Sequence, residues 1–456
     1  MTSTGRSQID TKDVIAASVV LSAVALELAL RELYYRLFTE LPRALILVLI
    51  WTALLLALSF VGRYVDPARH RLVGRVAVFI ALAVWFDRVG DVAVAWLMAV
   101  AGGHRTLVHG IVFALFVIGA LFVLRTDDKH WSAWRRALSA TTFLFVASQP
   151  VVAAIGAPTI SWPQAHSSPS GGRDVTVFVL LDELNASAAG PVADALAKAG
   201  RGVVVKSLRP VGDGTAKVVP AMFAGRRFPD AKPCGLATVC SGTEVLAFSK
   251  VVASRPDVDV VGFFEPYCAI SGLRSCVRLS PGSPLFDAAR WRCAIWRRST
   301  LLARWVGPDF ERQCGELGGG TWSDLVTGVE QAIERAPLWE QGGFLYAHVP
   351  LPHPPGLGQG TLASHYDANL ARAVRLINRI AARAALEPER RFTIIVFSDH
   401  PLRPAMWCGF SQYRQGSCPV PPHMVDDKVP LIVAGDVPKA FATINENIDI
   451  FRLADR

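Results

Sequence analysis

The chain has 456 residues, a net charge of +9 and 52% hydrophobic residues. This length predicts two or three structural units rather than a single domain. Charged residues make up 19% of the chain, which is low for a wholly soluble enzyme, and the hydrophobic content excludes a disordered protein. The 36 glycines and 29 prolines follow no period, which excludes a collagen-like or low-complexity protein.

The apolar residues are concentrated at the start of the chain and predict an α-helical membrane anchor. A helix needs roughly 20 residues to cross a bilayer. The first apolar stretch is not a cleaved signal peptide, because it is too long and further spans follow it. We therefore expect five spans, at residues 14–36, 43–62, 75–101, 107–125 and 136–155.

Basic residues between these spans predict their orientation. The loops at residues 63–75 and 125–136 carry four Lys or Arg residues each, whereas residues 104–106 contain only Arg105. Because Lys and Arg are retained on the cytoplasmic side, we expect both basic loops and the N-terminus in the cytoplasm. Five spans then place the rest of the chain in the periplasm or outside, on a multi-pass protein of the bacterial inner (cytoplasmic) membrane. Four spans would reverse this placement.

The cysteines are consistent with export of the second half of the chain. An even number of cysteines, none of them in the predicted spans, is typical of disulfides in an oxidising compartment. A zinc cluster is disfavoured because no CxxC spacing occurs. Pairing in sequence order is the simplest arrangement, namely Cys234–Cys240, Cys268–Cys276, Cys293–Cys314 and Cys408–Cys418.

The composition divides the chain into three parts. Residues 1–156 form the predicted transmembrane domain, and residues 157–173 are rich in Pro, Ser and Gly, as a linker would be. Residues 174–456 form the predicted extracytoplasmic catalytic domain. Its basic residues are scattered among acidic ones, without the basic and aromatic stripe of a nucleic-acid site, so we expect no nucleic-acid partner.

The catalytic domain alternates short apolar runs with amphipathic helical stretches. Apolar strands separated by helices predict an α/β domain with a largely parallel central sheet. The predicted helices lie at residues 188–200, 321–336 and 366–386. The predicted strands lie at residues 175–181, 203–208, 258–264, 343–349, 393–399 and 429–435.

Polar residues follow several of these strands, where ligand sites form in open α/β sheets. Carboxylates together with imidazoles suit zinc or manganese. A hydroxyl beside such a metal can become a nucleophile, and the metal can neutralise a phosphoryl group. The residues are Asp182, Glu183, Thr215, His348, His353, Asp399 and His400, with His423 shortly before the last strand.

Four segments in this order carry a resemblance to a known family: LLDELNAS, GTAKVVPAMFAG, HVPLPHPP and FSDH. Together they resemble the alkaline phosphatase/sulfatase superfamily. Within it, the chain is similar to membrane-anchored phosphotransferases such as lipoteichoic acid synthase and the lipid A phosphoethanolamine transferases. The resemblance covers most of residues 174–436 and implies a sulfatase-like fold.

The resemblance implies a role for each matching residue. The acid after the first strand binds the metal, which is Asp182 or Glu183, because relatives carry one or two acids there. Thr215 is the nucleophile and a metal ligand, and Asp399 and His400 are the metal-binding pair. A second metal or the substrate phosphate would be bound by His353, His423 and His348, although a histidine inside a strand, such as His348, is more often structural.

The function implied is metal-dependent transfer of a substituted phosphoryl group, of phosphoethanolamine or phosphoglycerol type. The donor would be a phospholipid, the acceptor an envelope glycan or lipid, and the intermediate a phospho-threonine. Sulfatase chemistry is disfavoured because the C/S-x-P-x-R motif is missing around Thr215. The alternatives are a membrane-anchored phosphodiesterase or phosphatase that uses water, and a non-catalytic envelope sensor in which Asp182 and Thr215 are only helix caps.

Overall fold

The computed structural model describes residues 159–163, 174–198, 202–235, 237–279, 322–357, 360–386, 390–409, 413 and 418–454. The five predicted spans lie within residues 14–155, outside the described residues, so their number and orientation stay predictions. Where the chain is described, no helix combines the length and the apolar character needed to cross a membrane.

The strands of the described residues form three sheets. A seven-stranded sheet lies at the centre, beside a three-stranded antiparallel sheet and a two-stranded parallel pair. The strands are β1 (Ile160–Trp162), β2 (Val175–Leu181), β3 (Val203–Leu208), β4 (Lys232–Gly235), β5 (Thr238–Ser241), β6 (Glu244–Ala247), β7 (Val251–Ala253), β8 (Val258–Phe263), β9 (Ser275–Leu279), β10 (Gly343–Val349), β11 (Phe392–Phe397) and β12 (Val429–Gly435).

The central sheet has the strand order β3-β12-β11-β2-β10-β8-β9. Neighbouring strands are parallel except at β12, which runs antiparallel to both β11 and β3. The prediction of an α/β domain with a largely parallel sheet is therefore confirmed. All six predicted strands are present, but β11 ends at Phe397, because Ser398 and Asp399 have left the ladder for the loop that follows.

The register of the sheet brings three strand ends to the same edge. Leu181 at the end of β2 pairs with Val349 at the end of β10. On the other side of β2, Leu180 pairs with Phe397 at the end of β11. The residues that follow these strands therefore lie side by side at what we call the carboxyl edge of the sheet, which is where ligands bind in such folds.

Helices cover the sheet and explain why its central strands are apolar at consecutive positions. Every residue of β2, β10 and β11 is buried, as expected for strands covered on both faces. The helices of the described residues are α1 (Gly190–Ala197), α2 (Thr215–Ala224), α3 (residues 322–334), α4 (Leu338–Gln341), α5 (Leu362–Ala385) and α6 (Pro404–Trp407).

Two hydrophobic cores form, one on each face of the sheet. The first contains the apolar sides of α1, α3 and α5. The second contains α2, the 3₁₀ segment Asn447–Ala454 and an aromatic group around Trp162 and Phe223. Helix α5 begins at Leu362, four residues earlier than predicted, because the side chain of Thr361 caps it by accepting a hydrogen bond from Ser364 N at 3.1 Å.

Part of the predicted linker is a strand. β1 lies within residues 157–173 and pairs in parallel with β7. Its Trp162 is fully buried, with ring centroids 4.7 Å from Phe223 and 5.7 Å from Phe344. Composition favoured a linker because Pro, Ser and Gly surround a single short apolar run, and only tertiary contact reveals that this tryptophan is a core residue.

Two of the predicted disulfides are confirmed. Cys268 pairs with Cys276 and Cys408 pairs with Cys418. Cys240 is also disulfide-bonded, whereas the predicted Cys293–Cys314 pair lies outside the described residues. The Cys268–Cys276 disulfide joins the segment after β8 to the start of β9, and the Cys408–Cys418 disulfide closes a loop after β11.

Candidate functional site

The two acids after β2 are held by the end of β11. Asp182 is 2% exposed and Glu183 is fully buried with a positive φ of 62°. Glu183 N donates to Asp399 Oδ1 at 3.4 Å, and Leu184 N donates to Ser398 Oγ at 2.9 Å. These bonds fix the backbone turn, so that the adjacent acids project in different directions.

Thr215 lies at the first residue of α2, directly after the extended residue Gly214. Its Oγ1 donates a hydrogen bond to Asp399 Oδ2 at 2.7 Å and lies 3.4 Å from His400 Nε2. No side chain caps α2, so the N–H groups of its first turn have no capping side chain to bind. The positive end of the helix dipole therefore lies at the Thr215 hydroxyl.

The imidazole of His400 lies among the acids. Nε2 is 3.4 Å from Asp399 Oδ2 and 3.8 Å from Asp182 Oδ1. Nδ1 is 3.9 Å from Glu183 Oε1 and 3.0 Å from the carbonyl oxygen of Pro401. A proton on Nδ1 would donate to this carbonyl and leave the Nε2 lone pair directed at the acids, as in metal-binding histidines.

The adjacent acids differ in their partners. Asp182 Oδ1 is buried and makes no hydrogen bond within the described residues. Glu183, in contrast, accepts from Trp407 Nε1 at 2.8 Å and from Arg403 Nε at 3.4 Å. Burial, with the negative charges of Asp399 and Glu183, raises the pKa of Asp182 well above its ordinary value. Burial also raises the pKa of Glu183, against the opposing charges of His400 and Arg403.

Asp399 is the most strongly stabilised anion of this group. Burial by itself would raise its pKa, but the charges of His400 and His348 and the hydrogen bond from Thr215 outweigh burial and lower it. The position is further fixed by Asn447, whose Nδ2 donates to the Asp399 carbonyl. Asp399 is therefore the carboxylate that stays ionised beside the Thr215 hydroxyl.

His348 reaches the acids from β10. Ligand atoms of Asp182, His348 and Asp399 all lie within 4.8 Å of one another. The Nδ1 atom of His348 is 2.8 Å from the Tyr267 hydroxyl, while its buried Nε2 has no hydrogen-bond partner among the described residues. Burial lowers the pKa of His348 to about 4, so the imidazole is neutral at pH 7 and Nε2 can act as a ligand.

His353 lies beside this group, between two tryptophan rings. Its ring stacks on Trp322 at 4.6 Å and meets Trp407 edge-on at 4.9 Å. Its backbone N donates to the carbonyl of Asp182 at 3.1 Å, and its buried Nδ1 has no partner among the described residues. Burial, followed by the charge of His400, lowers the pKa of His353 to about 3.

The structure does not bring the ring of His423 into the acid group. Its Nε2 lies 2.8 Å from Asp367 Oδ1, and its side chain is 37% exposed. Its carbonyl accepts from Asn185 Nδ2 at 3.2 Å, and its ring lies 6.4 Å from the ring of Tyr366. A site role for His423 stays a prediction, with an exposed ion pair as its observed contact.

Three residues near the site were not predicted: Arg403, Trp407 and Tyr267. Arg403 and Trp407 lie after β11, and their bonds to Glu183 join residues about 220 positions apart in the chain. No local pattern marks them. The available signal was their position shortly after Asp399 and His400, just before the loop that the Cys408–Cys418 disulfide closes.

Comparisons with known proteins give matches among solved structures only. No protein-family model and no curated protein matches the chain. The lipooligosaccharide phosphoethanolamine transferase A (EptA) of Neisseria meningitidis matches 87% of this chain and 69% of its own, with 14% identity and a TM-score of 0.36. The periplasmic domain of phosphoethanolamine transferase EptC of Campylobacter jejuni matches 64% of this chain and 90% of its own, with 11% identity and a TM-score of 0.34.

A protein of the alkaline phosphatase superfamily from Vibrio parahaemolyticus also matches, over 61% of this chain and 65% of its own, with 14% identity and a TM-score of 0.29. The solved structures that are similar to this chain thus include members of the superfamily that the four sequence segments resemble.

Proposed function

We propose that this protein transfers a substituted phosphoryl group, of phosphoethanolamine or phosphoglycerol type, from a phospholipid to an envelope glycan or lipid. The observation that carries the proposal is the Thr215 hydroxyl, 2.7 Å from Asp399 Oδ2 at the start of α2. A hydroxyl beside an ionised acid, at the positive end of a helix, suits attack on an anionic phosphoryl group.

The residues around Thr215 fit a divalent metal, zinc or manganese. Two buried ligand atoms, Asp182 Oδ1 and His348 Nε2, have no hydrogen-bond partner among the described residues, which supports a missing ligand. Asp182, Asp399, His400 and Thr215 would hold the metal, with Glu183 as a further acid and His348 adjacent. When bound, the metal would supply positive charge that favours the ionised hydroxyl and the phosphoryl oxygens.

The first half-reaction forms a phospho-threonine. The Thr215 oxygen forms a bond to phosphorus as the bond from phosphorus to the diacylglycerol oxygen breaks. The Thr215 proton leaves through its hydrogen bond to Asp399 Oδ2 and passes on to the solvent, so that Asp399 stays ionised. Diacylglycerol leaves with a proton from the solvent. The phosphoryl oxygens face the first N–H groups of α2, where anions bind favourably.

The second half-reaction regenerates the enzyme. An acceptor hydroxyl forms a bond to phosphorus and loses its proton to the solvent, and the bond to Thr215 breaks. Thr215 recovers a proton from the solvent by way of Asp399. His348 and His353 assist as neutral imidazoles, because burial lowers the pKa of each to about 4 and about 3 respectively. His353 can then donate one N–H to a phosphoryl oxygen, while the unprotonated Nε2 of His348 would remain available as a ligand.

We further propose that the protein is a multi-pass inner-membrane enzyme with its N-terminus in the cytoplasm. The catalytic domain would lie in the periplasm or outside. The Cys268–Cys276 and Cys408–Cys418 disulfides support an oxidising compartment for this domain. A membrane anchor also suits a phospholipid donor, which is reached from the bilayer surface.

Intact-protein mass spectrometry tests the covalent step. Full-length protein in detergent is loaded with zinc or manganese and incubated with a mixed bacterial phospholipid extract. We expect a mass increase in the wild type and none in Thr215→Ala, and the size of the increase identifies the headgroup. Thr361→Ala is the matched control, since Thr361 also lies at a helix N-terminus but only caps α5.

The other outcomes separate the alternatives. Release of diacylglycerol without an adduct, at a rate that does not depend on an added acceptor, would favour a hydrolase that uses water. Metal-loaded protein that gives neither adduct nor diacylglycerol would contradict the proposal and favour a non-catalytic role.

A further inference from the structure

A second buried carboxyl group lies at the carboxyl edge, outside the acid group around Thr215. Glu265 follows β8 by two residues and is 0% exposed. Neither Oε1 nor Oε2 has a hydrogen-bond partner, and no ion pair to Glu265 is found within the described residues. Buried carboxyl groups are almost always partnered, so two unpartnered oxygens on one side chain point to a missing ligand.

The backbone holds Glu265 in an unusual turn. Its N–H donates to the Phe263 carbonyl at 2.7 Å, and its own carbonyl accepts from Tyr267 N at 2.9 Å. Phe264, directly before it, has a positive φ of 64°. Among the described residues, only Phe264 and Glu183 carry a side chain at positive φ, and each closely follows a strand at the carboxyl edge. Such strain persists where the surroundings impose it, most often at functional sites.

The turn is fixed on its other side as well. The Cys268–Cys276 disulfide joins the segment after Glu265 to β9. Arg278 on β9 donates from Nη2 to the carbonyl of Phe264 at 3.0 Å. The turn that carries Glu265 is therefore held by two contacts with β9, the disulfide and the Arg278 hydrogen bond.

Aromatic rings connect this turn to the site. The Tyr267 hydroxyl is 2.8 Å from His348 Nδ1, and the Phe263 ring is 4.3 Å from the His348 ring. Trp322 contacts Phe263 at 5.6 Å and His353 at 4.6 Å. Phe263 and Tyr267, each two residues from Glu265, thus both contact His348, and Trp322 connects Phe263 to His353.

We infer that Glu265 recognises a cationic alkylammonium group on the donor headgroup, as in ethanolamine. This inference rests on the proposed function and selects between the two headgroup types that it leaves open. A primary ammonium brings three N–H donors to the two unpartnered oxygens, and its positive charge adds to that of Arg278, which also acts on this carboxyl group. A glycerol headgroup offers hydroxyl donors but no charge.

The test compares headgroups in the wild type and in Glu265→Gln, using full-length protein in detergent. The first measurement is kcat/KM for diacylglycerol release from phosphatidylethanolamine and from phosphatidylglycerol. The second is binding of O-phosphoethanolamine and of glycerol 3-phosphate by calorimetry, which does not require turnover. We expect the wild type to prefer the ethanolamine compound in both. Glu265→Gln should lower kcat/KM and binding affinity for the ethanolamine compound by about 10- to 100-fold, which is the value of a hydrogen bond between charged groups. Both quantities should change little for the glycerol compound.

Asp259→Asn is the matched control. Asp259 is a fully buried acid on β8, the strand that precedes Glu265. Its carboxylate accepts hydrogen bonds from Arg274, from Ser275 Oγ at 2.7 Å and from Leu338 N at 2.9 Å. Asp259→Asn should lower the stability of the fold and change kcat/KM for the two lipids equally.

Two results would overturn the inference while leaving the proposed function intact. One is a Glu265→Gln variant that keeps the wild-type preference for the ethanolamine over the glycerol compound, both in kcat/KM and in binding affinity. The other is loss of one bound zinc equivalent in this variant, which would assign the carboxylate to a metal. Failure of the wild type to release diacylglycerol from either lipid would contradict the proposed function itself, and the binding measurement would still decide whether Glu265 recognises the ammonium group.

Discussion

The hydrogen bond from Trp407 to Glu183 gives the sharpest test of how the acids at the carboxyl edge are oriented. Trp407 Nε1 donates to Glu183 Oε2 at 2.8 Å, and both side chains are buried. Trp407→Phe keeps an aromatic ring beside His353 but removes the N–H group. Glu183 then retains the longer contact to Arg403 Nε at 3.4 Å.

The size of the effect follows from the charge of the acceptor. A hydrogen bond to a charged group contributes about 1.5–3 kcal/mol, and about 1.4 kcal/mol corresponds to tenfold in an equilibrium constant. If Glu183 helps to hold the metal, Trp407→Phe should therefore weaken zinc binding by about 10- to 100-fold, as loss of an orienting partner does at other metal sites.

Competition with a chromophoric chelator on the full-length protein measures this affinity. Trp339→Phe is the matched control, because Trp339 is also buried and its Nε1 donates to the Ile333 carbonyl at 2.6 Å, far from the acids in the chain. It should lower the thermal midpoint without changing zinc affinity. Equal zinc affinities for Trp407→Phe and the wild type would refute the role given to Glu183.

The remaining predictions concern other parts of the domain. Burial raises the pKa of Glu265 from 4.5 to about 8, so the folded state holds this proton more tightly than the unfolded state and stability falls as pH rises through this range. Glu265→Gln should therefore gain thermal stability relative to the wild type between pH 5 and pH 8, by at most about 1.4 kcal/mol per pH unit, and a constant difference would contradict this. Asp259→Asn should destabilise the fold by about 3–5 kcal/mol, measured by denaturant unfolding, because it leaves the buried Arg274 partner without its charge. Thr215→Ser should still form the covalent adduct, since it keeps the hydroxyl, and its absence by mass spectrometry would count against Thr215 as nucleophile. Cys408→Ser with Cys418→Ser should weaken zinc binding, measured with the same chelator, because the disulfide fixes Cys408, the residue directly after Trp407.

Local sequence patterns were sufficient for the framework of the catalytic domain. Runs such as VTVFVLL and GFLYAHV predict buried strands because every position is apolar or nearly so, and the structure buries all seven residues of each. Since the strands are parallel, residues that follow them must share an edge. The sequence therefore predicted that Asp182, Thr215 and Asp399 would lie together, and their hydroxyl and carboxylate groups do so.

Short or isolated sequence signals were insufficient to predict several features of the structure. Ile160–Trp162 and β9 are too brief to show a period, and Trp162 is identified as a core residue only by the rings around it. His423 follows a plausible spacing, yet its ring pairs with Asp367 at the surface. Glu265 has no motif at all, and its unusual state is visible only once its surroundings are known.

By itself, the sequence indicated the six longest strands of the central sheet, the simplest pairing of the cysteines, and the polar residues that follow these strands, because these depend on periodicity and on neighbours along the chain. Only the tertiary structure decided the direction of each side chain at that edge. Asp182 faces Asp399 while Glu183 faces Trp407 because contacts between residues more than 200 positions apart set the turn between them. Such contacts leave no local pattern, since each residue's partner is chosen by the packing of the whole sheet.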